Sequence, residues 1–392
     1  MGTSTRLRLP RSPFLQTVVK SGLLAPDDLI GVLSQYDPAQ IEAAQPLQIA
    51  TFLVRKKLLT KFQAMQLLQG RTQGFRLGKY KIVEGVRQDR VGMVFLAEDT
   101  DTKQTVTVKV LPTERVSDDT MYRPFLKEAR EATRVVHANV ARVLDVGMWC
   151  GTHYVVTEHV PAPTLDKILA EKGPLPPNTA AQIVAQVAVG LMHAHAKGLY
   201  HRDVKPANVA LLPDRRVKLL DLGLTHMLDN PWAKVTKRFN LKEYADEIAH
   251  IPPEQAWGCE LDARSDVYSL GSTLYFLMTG RVPFPGLAVQ TMTDRQLKGV
   301  PKPSEARPGV PRELDDLVQT LGAKDPHERY QTAGEVVSAM QPWLPVADWA
   351  ALGLPASPPP STRRGKSAPS SSKAKRTFFA AVGDSVRRLF KR

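Results

Sequence analysis

Apolar residues within positions 1–79 recur at the spacing of short amphipathic helices. Between 46 and 59 they fall on one side of a helix, and Pro46 suits a first helical position, where no backbone N–H is needed. Thr60 and Gln63 have the spacing of a capping box at the next helix start. The pattern predicts a helical extension of three or four short helices. It leaves open whether this extension only packs against the following domain or also docks a partner.

From Tyr80 the pattern changes to the alternation of β-strands. Short β-branched stretches separated by polar turns predict antiparallel strands. One helix is predicted among them at 122–137, and after Leu165 the pattern is mostly helical. A strand-rich part followed by a helix-rich part is an α+β arrangement. The predicted strands span 80–84, 94–98, 105–111, 140–146 and 154–158.

The last part of the chain has a different composition. Residues 345–376 are rich in Pro, Ser, Lys and Arg, which predicts a disordered linker. On a helix, the large apolar side chains of 377–392, such as Phe378 and Leu389, share about a third of the circumference, and the Arg and Lys side chains lie outside it. We therefore expect a basic amphipathic helix. An anionic membrane surface and a protein partner are both candidate docking sites for it.

The formal net charge of +14 is concentrated in this tail, where residues 351–392 contain ten Lys or Arg and one Asp. The basic stretch has no interleaved aromatic residues, so its electrostatics would give only non-specific affinity for nucleic acid. Nucleic-acid binding is therefore not expected as the main function.

The cysteine content and the hydropathy bear on the compartment. Cys150 and Cys259 belong to no Cys-x-x-Cys pair, which disfavours a disulfide framework or a zinc site. The first 14 residues have no apolar core of a signal peptide, and no apolar run is long enough for a spanning helix. We expect a cytoplasmic protein, peripheral at the inner face of the membrane if 377–392 binds lipid.

The strongest chemical signal is the run His-Arg-Asp-Val-Lys-Pro-Ala-Asn at 201–208, followed by Asp-Leu-Gly at 221–223. Phosphoryl transfer needs a carboxylate near the acceptor hydroxyl, oxygen ligands for magnesium and cations against the phosphates. The run supplies all three kinds of group. The candidate catalytic residues are Asp203 as the base, Lys205 against the transferring phosphoryl group, and Asn208 and Asp221 as metal ligands.

This run resembles the catalytic loop of serine/threonine protein kinases, especially the bacterial Hanks-type (eukaryotic-like) members. The resemblance covers about residues 80–344. It implies a two-lobe protein kinase fold, with a β-rich small lobe at 80–158 and an α-rich large lobe at 162–344. It also implies ATP and Mg²⁺ as cofactors, and transfer of the ATP γ-phosphate to Ser or Thr of protein substrates.

The same resemblance assigns the nucleotide site. Lys109 on the third predicted strand would contact the phosphates, and Glu128 on the following helix would pair with Lys109. Thr157 takes the gatekeeper position before the hinge between the lobes. The other ATP-binding residues are Gly92 and Val94 near the glycine-rich loop and the backbones of Glu158 and Val160 in the hinge.

Supporting roles also follow from the resemblance. Glu254 ends a Pro-Pro-Glu run and would pair with Arg329. Asp266 would brace the backbone of the catalytic loop. His201 would pack and form hydrogen bonds within that loop, and Arg202 is typical of kinases controlled through the activation loop.

Two segments depart from the family pattern. The three positions of the glycine-rich loop hold Arg87, Asp89 and Gly92, so two of its glycines are missing. Asp246 and Glu247 replace the Gly-Thr that usually precedes the Pro-Glu pair. The side chains that carry the chemistry are present. The family residues that are missing belong to loops that would position the nucleotide and the substrate. An active serine/threonine kinase is therefore predicted, and the alternative is a pseudokinase that acts as a nucleotide-binding or scaffold signalling module.

Overall fold

The structure is a computed structural model. The tail segments predicted at 345–376 and 377–392 lie outside the residues that it describes. No helix among the described residues is both long and apolar enough to cross a membrane. The described residues are 9–88, 92–111, 119–224, 249–256, 259–285 and 298–344.

The small lobe is built on a six-stranded antiparallel sheet in the order β1-β2-β3-β4-β6-β5. Alternation places Val106 and Val108 in its core, as the pattern predicts. The two-residue strand β1 is too short to leave a periodic signal. The strands are β1 (Arg76–Leu77), β2 (Tyr80–Gln88), β3 (Met93–Asp99), β4 (Thr105–Val110), β5 (Val143–Trp149) and β6 (Thr152–Glu158).

Among its described residues, the N-terminal extension has five short helices, where the sequence pattern predicts three or four. They share one apolar core, in which Leu15, Leu29 and Leu53 are fully buried. The first four helices have proline in their first turn. The fifth begins with the capping box of Thr60 and Gln63 that the sequence predicts. The helices are α1 (Pro13–Lys20), α2 (Pro26–Leu33), α3 (Pro38–Ala43), α4 (Pro46–Arg55) and α5 (Lys61–Leu68).

Helix α5 joins this extension to strand β2. The Thr60 hydroxyl donates to the carbonyl oxygen of Val83 at 2.6 Å, and Nε2 of Gln63 donates to that of Ile82 at 2.6 Å. Gln63 is buried. The capping residues of α5 therefore bind the strand that leads to the glycine-rich loop, which makes the extension part of the small-lobe structure.

Helix α6 (Asp119–Ala132) packs against both the sheet and the large lobe. Its buried Phe125 and Ala129 share a core with Val143 and Val155 of the sheet. The strand predicted from residue 140 begins at Val143, because Val140 forms a single parallel bridge with Leu219 of the large lobe.

The large lobe has a helical core and a short hairpin, β7 (Val209–Leu211) with β8 (Val217–Leu219). The two-lobe α+β protein kinase fold predicted from the sequence is confirmed. The helices are α7 (Leu165–Lys172), α8 (Pro177–His195), α9 (Pro253–Ala256), α10 (Ala263–Thr279), α11 (Pro303–Ala306), α12 (Arg312–Leu321) and α13 (Ala333–Met340).

Candidate active site

One buried carboxylate holds the backbone of the loop between α8 and β7. Asp266, in the first turn of α10, accepts hydrogen bonds from the backbone N–H of His201 at 2.8 Å and of Arg202 at 2.7 Å. Nε2 of His195 lies 2.8 Å from the same carboxylate. Burial would raise the pKa of Asp266, but His195 and His201 together hold it below its usual value. An ionised Asp266 is therefore a structural element of this loop.

His201 lies inside the loop and is fully buried. Its Nε2 is 2.6 Å from the carbonyl oxygen of Leu220, and its Nδ1 accepts from the backbone N–H of Asp203 at 3.2 Å. The imidazole thus links the catalytic loop to the segment that precedes Asp221. This is the packing and hydrogen-bonding role expected for His201.

Asp203 is held from two sides. Nδ2 of Asn208 donates to the backbone oxygen of Asp203 at 2.8 Å and to its Oδ2 at 2.9 Å. Nζ of Lys205 lies 2.9 Å from the same Oδ2. The short 3-10 helix Pro206–Asn208 turns the chain so that Asn208 reaches back to Asp203. The carboxylate is therefore oriented and lies beside a cation.

Asp221 faces two cations from the small lobe. Nζ of Lys109 lies 2.9 Å from Oδ2 of Asp221, and NH2 of Arg87 lies 3.9 Å from the same oxygen. Burial would raise the pKa of this carboxyl group, but Lys109 and, to a smaller extent, Arg87 lower it below its usual range. Asp221 has a φ of 64°, a left-handed conformation that non-glycine residues seldom adopt. Such strain is held in place by the surrounding structure.

The residues after Asp221 pack tightly under α6. Leu222 is buried in the core that contains Phe125 and Ala129. Gly223 has a φ of 75°, and a Cβ atom there would lie 2.8 Å from Cβ of Ala132 and 3.3 Å from the backbone oxygen of Glu128. Glycine is required here both by the backbone conformation and by the close approach of the helix.

Glu128 has a different partner from the one predicted. NH1 of Arg202 donates to both carboxylate oxygens of Glu128, at 3.0 and 2.7 Å, whereas the ammonium of Lys109 contacts Asp221. The prediction that Lys109 pairs with Glu128 is therefore wrong: Lys109 pairs with Asp221, and Glu128 with Arg202. A carboxylate has several acceptor positions and α6 packs directly over the catalytic loop, so the nearby guanidinium binds it.

The hinge between the lobes follows β6. Thr157 and Glu158 end this strand, and Val160 lies two residues beyond it, partly buried. The backbone N–H of Glu158 donates to the carbonyl oxygen of Arg142 at 2.9 Å. Its side chain forms an ion pair with Lys218 of β8. Glu158 thus connects the sheet to the large lobe through both its backbone and its side chain.

Two further predicted nucleotide residues lie in and beside strand β3. Gly92, directly before β3, is buried, and Val94 is 2% exposed and pairs in register with Lys109 on β4. Arg87 lies near the end of β2. Asp89, which occupies the second glycine position, is outside the described residues.

The Pro-Glu segment is fixed to the large lobe by a buried ion pair. Arg329 is 1% exposed, and its NH1 and NH2 donate to the two oxygens of Glu254 at 2.6 and 2.9 Å. The hydroxyl of Ser265 also donates to Glu254 at 2.9 Å. The structure thus contains the pair assigned from the sequence. Asp246 and Glu247 lie outside the described residues.

The donor set fits a magnesium ion bound together with phosphates. Asp221 supplies a carboxylate and Asn208 an amide oxygen, and the backbone N–H of Leu220 donates to the carbonyl oxygen of Asn208 at 2.8 Å, which holds the two ligand segments together. No group of three or more His, Cys, Asp or Glu side chains within the described ranges could hold a metal alone. Mg²⁺ usually has few protein ligands and shares substrate phosphates.

Two contacts of this site are not predicted by the sequence motifs. Nε2 of Gln255 donates to the backbone oxygen of Arg202 at 3.0 Å, which connects the Pro-Glu segment to the catalytic loop. His195, at the end of α8, contacts Asp266. Neither residue belongs to the motifs used above. Only its place directly after the Pro-Glu pair singles out Gln255.

The comparisons with known proteins agree with this geometry. A sequence model of the protein kinase domain matches residues 80–344. PrkC of Bacillus subtilis, a serine/threonine-protein kinase, is 30% identical over 260 residues, which are 66% of this chain and 39% of PrkC. The serine/threonine-protein kinase PknB of Mycobacterium tuberculosis is 35% identical over 263 residues, which are 66% of this chain and 42% of PknB. The chain spans about two fifths of the length of these relatives.

Solved structures show the same fold. The crystal structure of the PknI kinase domain of Mycobacterium tuberculosis matches with a TM-score of 0.55 and 27% sequence identity. The match covers 69% of this chain and 98% of the PknI domain. Together with the match of the family model and the geometry of the catalytic loop, these similarities confirm the resemblance inferred from the motifs: the chain belongs to the bacterial Hanks-type serine/threonine protein kinase family.

Proposed function

We propose that the chain transfers the γ-phosphate of ATP to Ser or Thr hydroxyls of protein substrates. The observation that carries this proposal is the arrangement around Asp203. Its carboxylate is oriented by Asn208 at 2.9 Å and lies 2.9 Å from the ammonium of Lys205. A base fixed beside a cation is what the transfer of a negatively charged phosphoryl group to a hydroxyl requires.

Each residue has a role that its position supports. Asp203 accepts the proton of the substrate hydroxyl, and Lys205 neutralises charge on the transferring group. Asn208 and Asp221 would hold Mg²⁺, which would supply positive charge to neutralise the phosphates. Lys109, 2.9 Å from Asp221, is close enough to that site to bind the phosphates as well.

The adenine binds at the hinge, between Val94 and the large lobe. The N–H of Glu158 is bonded to Arg142 at 2.9 Å, so its carbonyl oxygen is the group that we assign to the adenine edge, together with the backbone of Val160. Thr157 borders the pocket behind the adenine. These assignments rest on the family resemblance and on where Val94, Thr157, Glu158 and Val160 lie in the fold.

Hydrogen bonds between the candidate catalytic residues support an active enzyme. Lys109 donates to Asp221 and Asn208 donates to Asp203, and the backbone N–H of Leu220 donates to the carbonyl oxygen of Asn208. The relatives above are named as kinases. We therefore favour the active enzyme over a scaffold that only binds nucleotide.

Phosphate incorporation tests this proposal. The full chain is incubated with radiolabelled ATP and Mg²⁺, alone and with a generic Ser/Thr protein substrate, beside Asp203→Asn. Asp214→Asn, in the exposed turn between β7 and β8, is the matched control. Incorporation into Ser and Thr should be lost in Asp203→Asn and kept in Asp214→Asn. Equal incorporation by wild type and Asp203→Asn would overturn the proposal.

We further propose that segment 377–392 binds an anionic membrane surface as a basic amphipathic helix. Its apolar stripe and flanking Lys and Arg support this, and each basic residue near the surface adds about 1 kcal/mol of binding free energy. Sedimentation with anionic and neutral vesicles is the test, with a chain that ends at Pro355 as the control. Binding to neither vesicle would exclude this role and leave docking on a protein as the alternative.

A further inference from the structure

We propose that Arg87 is a phosphate-binding residue of the nucleotide site and replaces, with a side chain, contacts that glycine-rich loops make with their backbone. This inference rests on the proposed binding of ATP. Arg87 occupies the first glycine position of the loop, near the end of β2. Its guanidinium nitrogen NH2 lies 3.9 Å from Oδ2 of Asp221, a residue of the large lobe.

Two cations converge on the carboxylate that would hold Mg²⁺ beside the phosphates. Lys109 and Arg87 approach the same oxygen of Asp221, at 2.9 and 3.9 Å. The contact of Arg87 is longer than a hydrogen bond. A guanidinium carries five N–H donors in a planar fork that matches phosphate oxygens, and the Arg87 side chain is 43% exposed. A β- or γ-phosphate beside Asp221 would thus lie within reach of Arg87.

The strand below Arg87 is anchored by the N-terminal extension. Gln63 of helix α5 and its capping residue Thr60 donate hydrogen bonds to the carbonyl oxygens of Ile82 and Val83. The Phe62 ring lies 3.0 Å from the position that a Cβ atom on Gly85 would take. The pairing of β2 with β3 is irregular at these positions, with register shifts between Ile82 and Glu84 and between Gly85 and Arg87. Such irregularities redirect side chains. The extension therefore fixes the backbone from which Arg87 reaches the cleft.

This placement predicts which ligands depend on Arg87. An arginine that contacts the β- or γ-phosphate contributes to binding of ATP and ADP but not to binding of adenosine. Because the charge belongs to the protein, the contribution should persist when Mg²⁺ is removed. A charge-assisted hydrogen bond of this kind corresponds to about a tenfold change in the dissociation constant.

Calorimetric binding of ATP, ADP and adenosine to the full chain, with Mg²⁺ and with EDTA, is the direct test. The variants are Arg87→Gln, which removes the charge, and Arg87→Lys, which keeps it. The matched control is Arg76→Gln, an exposed arginine on β1. Thermal unfolding without ligand establishes that each variant is folded.

We expect Arg87→Gln to weaken binding of ATP and ADP about tenfold in both conditions, with adenosine binding unchanged. Arg87→Lys should recover most of the loss, and Arg76→Gln should match the wild type. Equal or tighter ATP binding by folded Arg87→Gln would overturn the proposal for Arg87 alone, because the wild type still binds ATP in that outcome. A wild type that binds adenosine and ATP equally would also overturn it. A wild type that binds no ATP would overturn both this inference and the proposed function.

Discussion

Arg202 of the catalytic loop holds Glu128 of helix α6 through one guanidinium nitrogen, at 3.0 and 2.7 Å from the two carboxylate oxygens. The side chains of Arg202 and Glu128 are only 17% and 10% exposed, so water screens the pair weakly. It joins the small lobe to the large lobe at the base of the cleft. The family resemblance pairs Glu128 with Lys109. In this structure Glu128 instead forms a contact between the lobes.

A double-mutant cycle on Glu128 and Arg202 should give a coupling of about 1–3 kcal/mol in the free energy of unfolding. The single changes are Glu128→Ala and Arg202→Ala, followed by the double variant. The expected coupling is large because the two side chains are close, partly buried and joined by two hydrogen bonds. Urea unfolding of the ligand-free chain, followed by circular dichroism, provides the measurement.

The control cycle uses Glu131 and Arg134, an ion pair on exposed side chains 2.7 Å apart. Exposed pairs at this spacing contribute about 0.2–0.5 kcal/mol. A coupling for Glu128 and Arg202 no larger than that of the control cycle would mean that the pair does not persist in solution.

Arg329→Ala should destabilise the large lobe by about 3–5 kcal/mol, since it leaves Glu254 without its buried cation. The substitution also removes two hydrogen bonds that Nε and NH2 of Arg329 donate to the carbonyl oxygens of Ala323 and Lys324, at 2.7 and 3.0 Å. Arg312→Ala is the control, because its pair with Asp316 is 4.0 Å long and exposed. Thermal unfolding measures both. Similar shifts in Tm for the two variants would contradict the buried pair.

Gly223→Ala should cost more stability than Gly309→Ala. Both glycines have positive φ, 75° and 89°, so both substitutions strain the backbone by about 1–2 kcal/mol. A Cβ at Gly309 meets nothing within 4 Å, whereas one at Gly223 meets Ala132 at 2.8 Å. Overpacking of this kind adds about 1–3 kcal/mol. Equal destabilisation of the two variants in urea would show that α6 does not press on Gly223.

Sequence motifs predict candidate site residues but not the partners of their side chains. Asp203, Asn208 and Asp221 are predicted because phosphoryl transfer restricts the residue types at fixed spacings. Glu128 was correctly placed on a helix, but its partner depends on how α6 packs over the loop, which periodicity does not determine. The contact between Arg87 and Asp221 was missed for the same reason, since the irregular end of β2 directs the arginine into the cleft.

The sequence pattern predicted the fold wherever the pattern depends on neighbouring residues. The alternation in β4 and the capping box of α5 were readable because each uses local chemistry. The strand predicted from residue 140 starts later, at Val143, because Val140 bridges to Leu219, a partner about eighty residues away in the sequence. A long-range pairing of this kind leaves no periodic signal of its own.

The stability supplied by Asp266 should be lost in acid. Its pKa in the folded chain is held below the usual value: burial acts to raise it, but His195 and His201 outweigh burial. Above the unfolded-state pKa, about 4, the carboxylate is ionised in both states and its contribution is complete. As the pH falls below that value, the unfolded chain takes up the proton first, so the contribution shrinks until the folded pKa is passed.

The free energy of unfolding of wild type and Asp266→Asn, measured in urea between pH 3 and pH 7, tests this expectation. The difference between them should be largest near neutral pH and should decrease below about pH 4. Asp214→Asn is the control, because a hydrogen bond from Arg216 also lowers the pKa of Asp214, but at the surface. About 1 M salt should remove the effect of Asp214 and leave that of Asp266, whose buried contacts are screened much less. A difference between wild type and Asp266→Asn that stays constant from neutral to acid pH would mean that Asp266 stabilises the loop without depending on its charge.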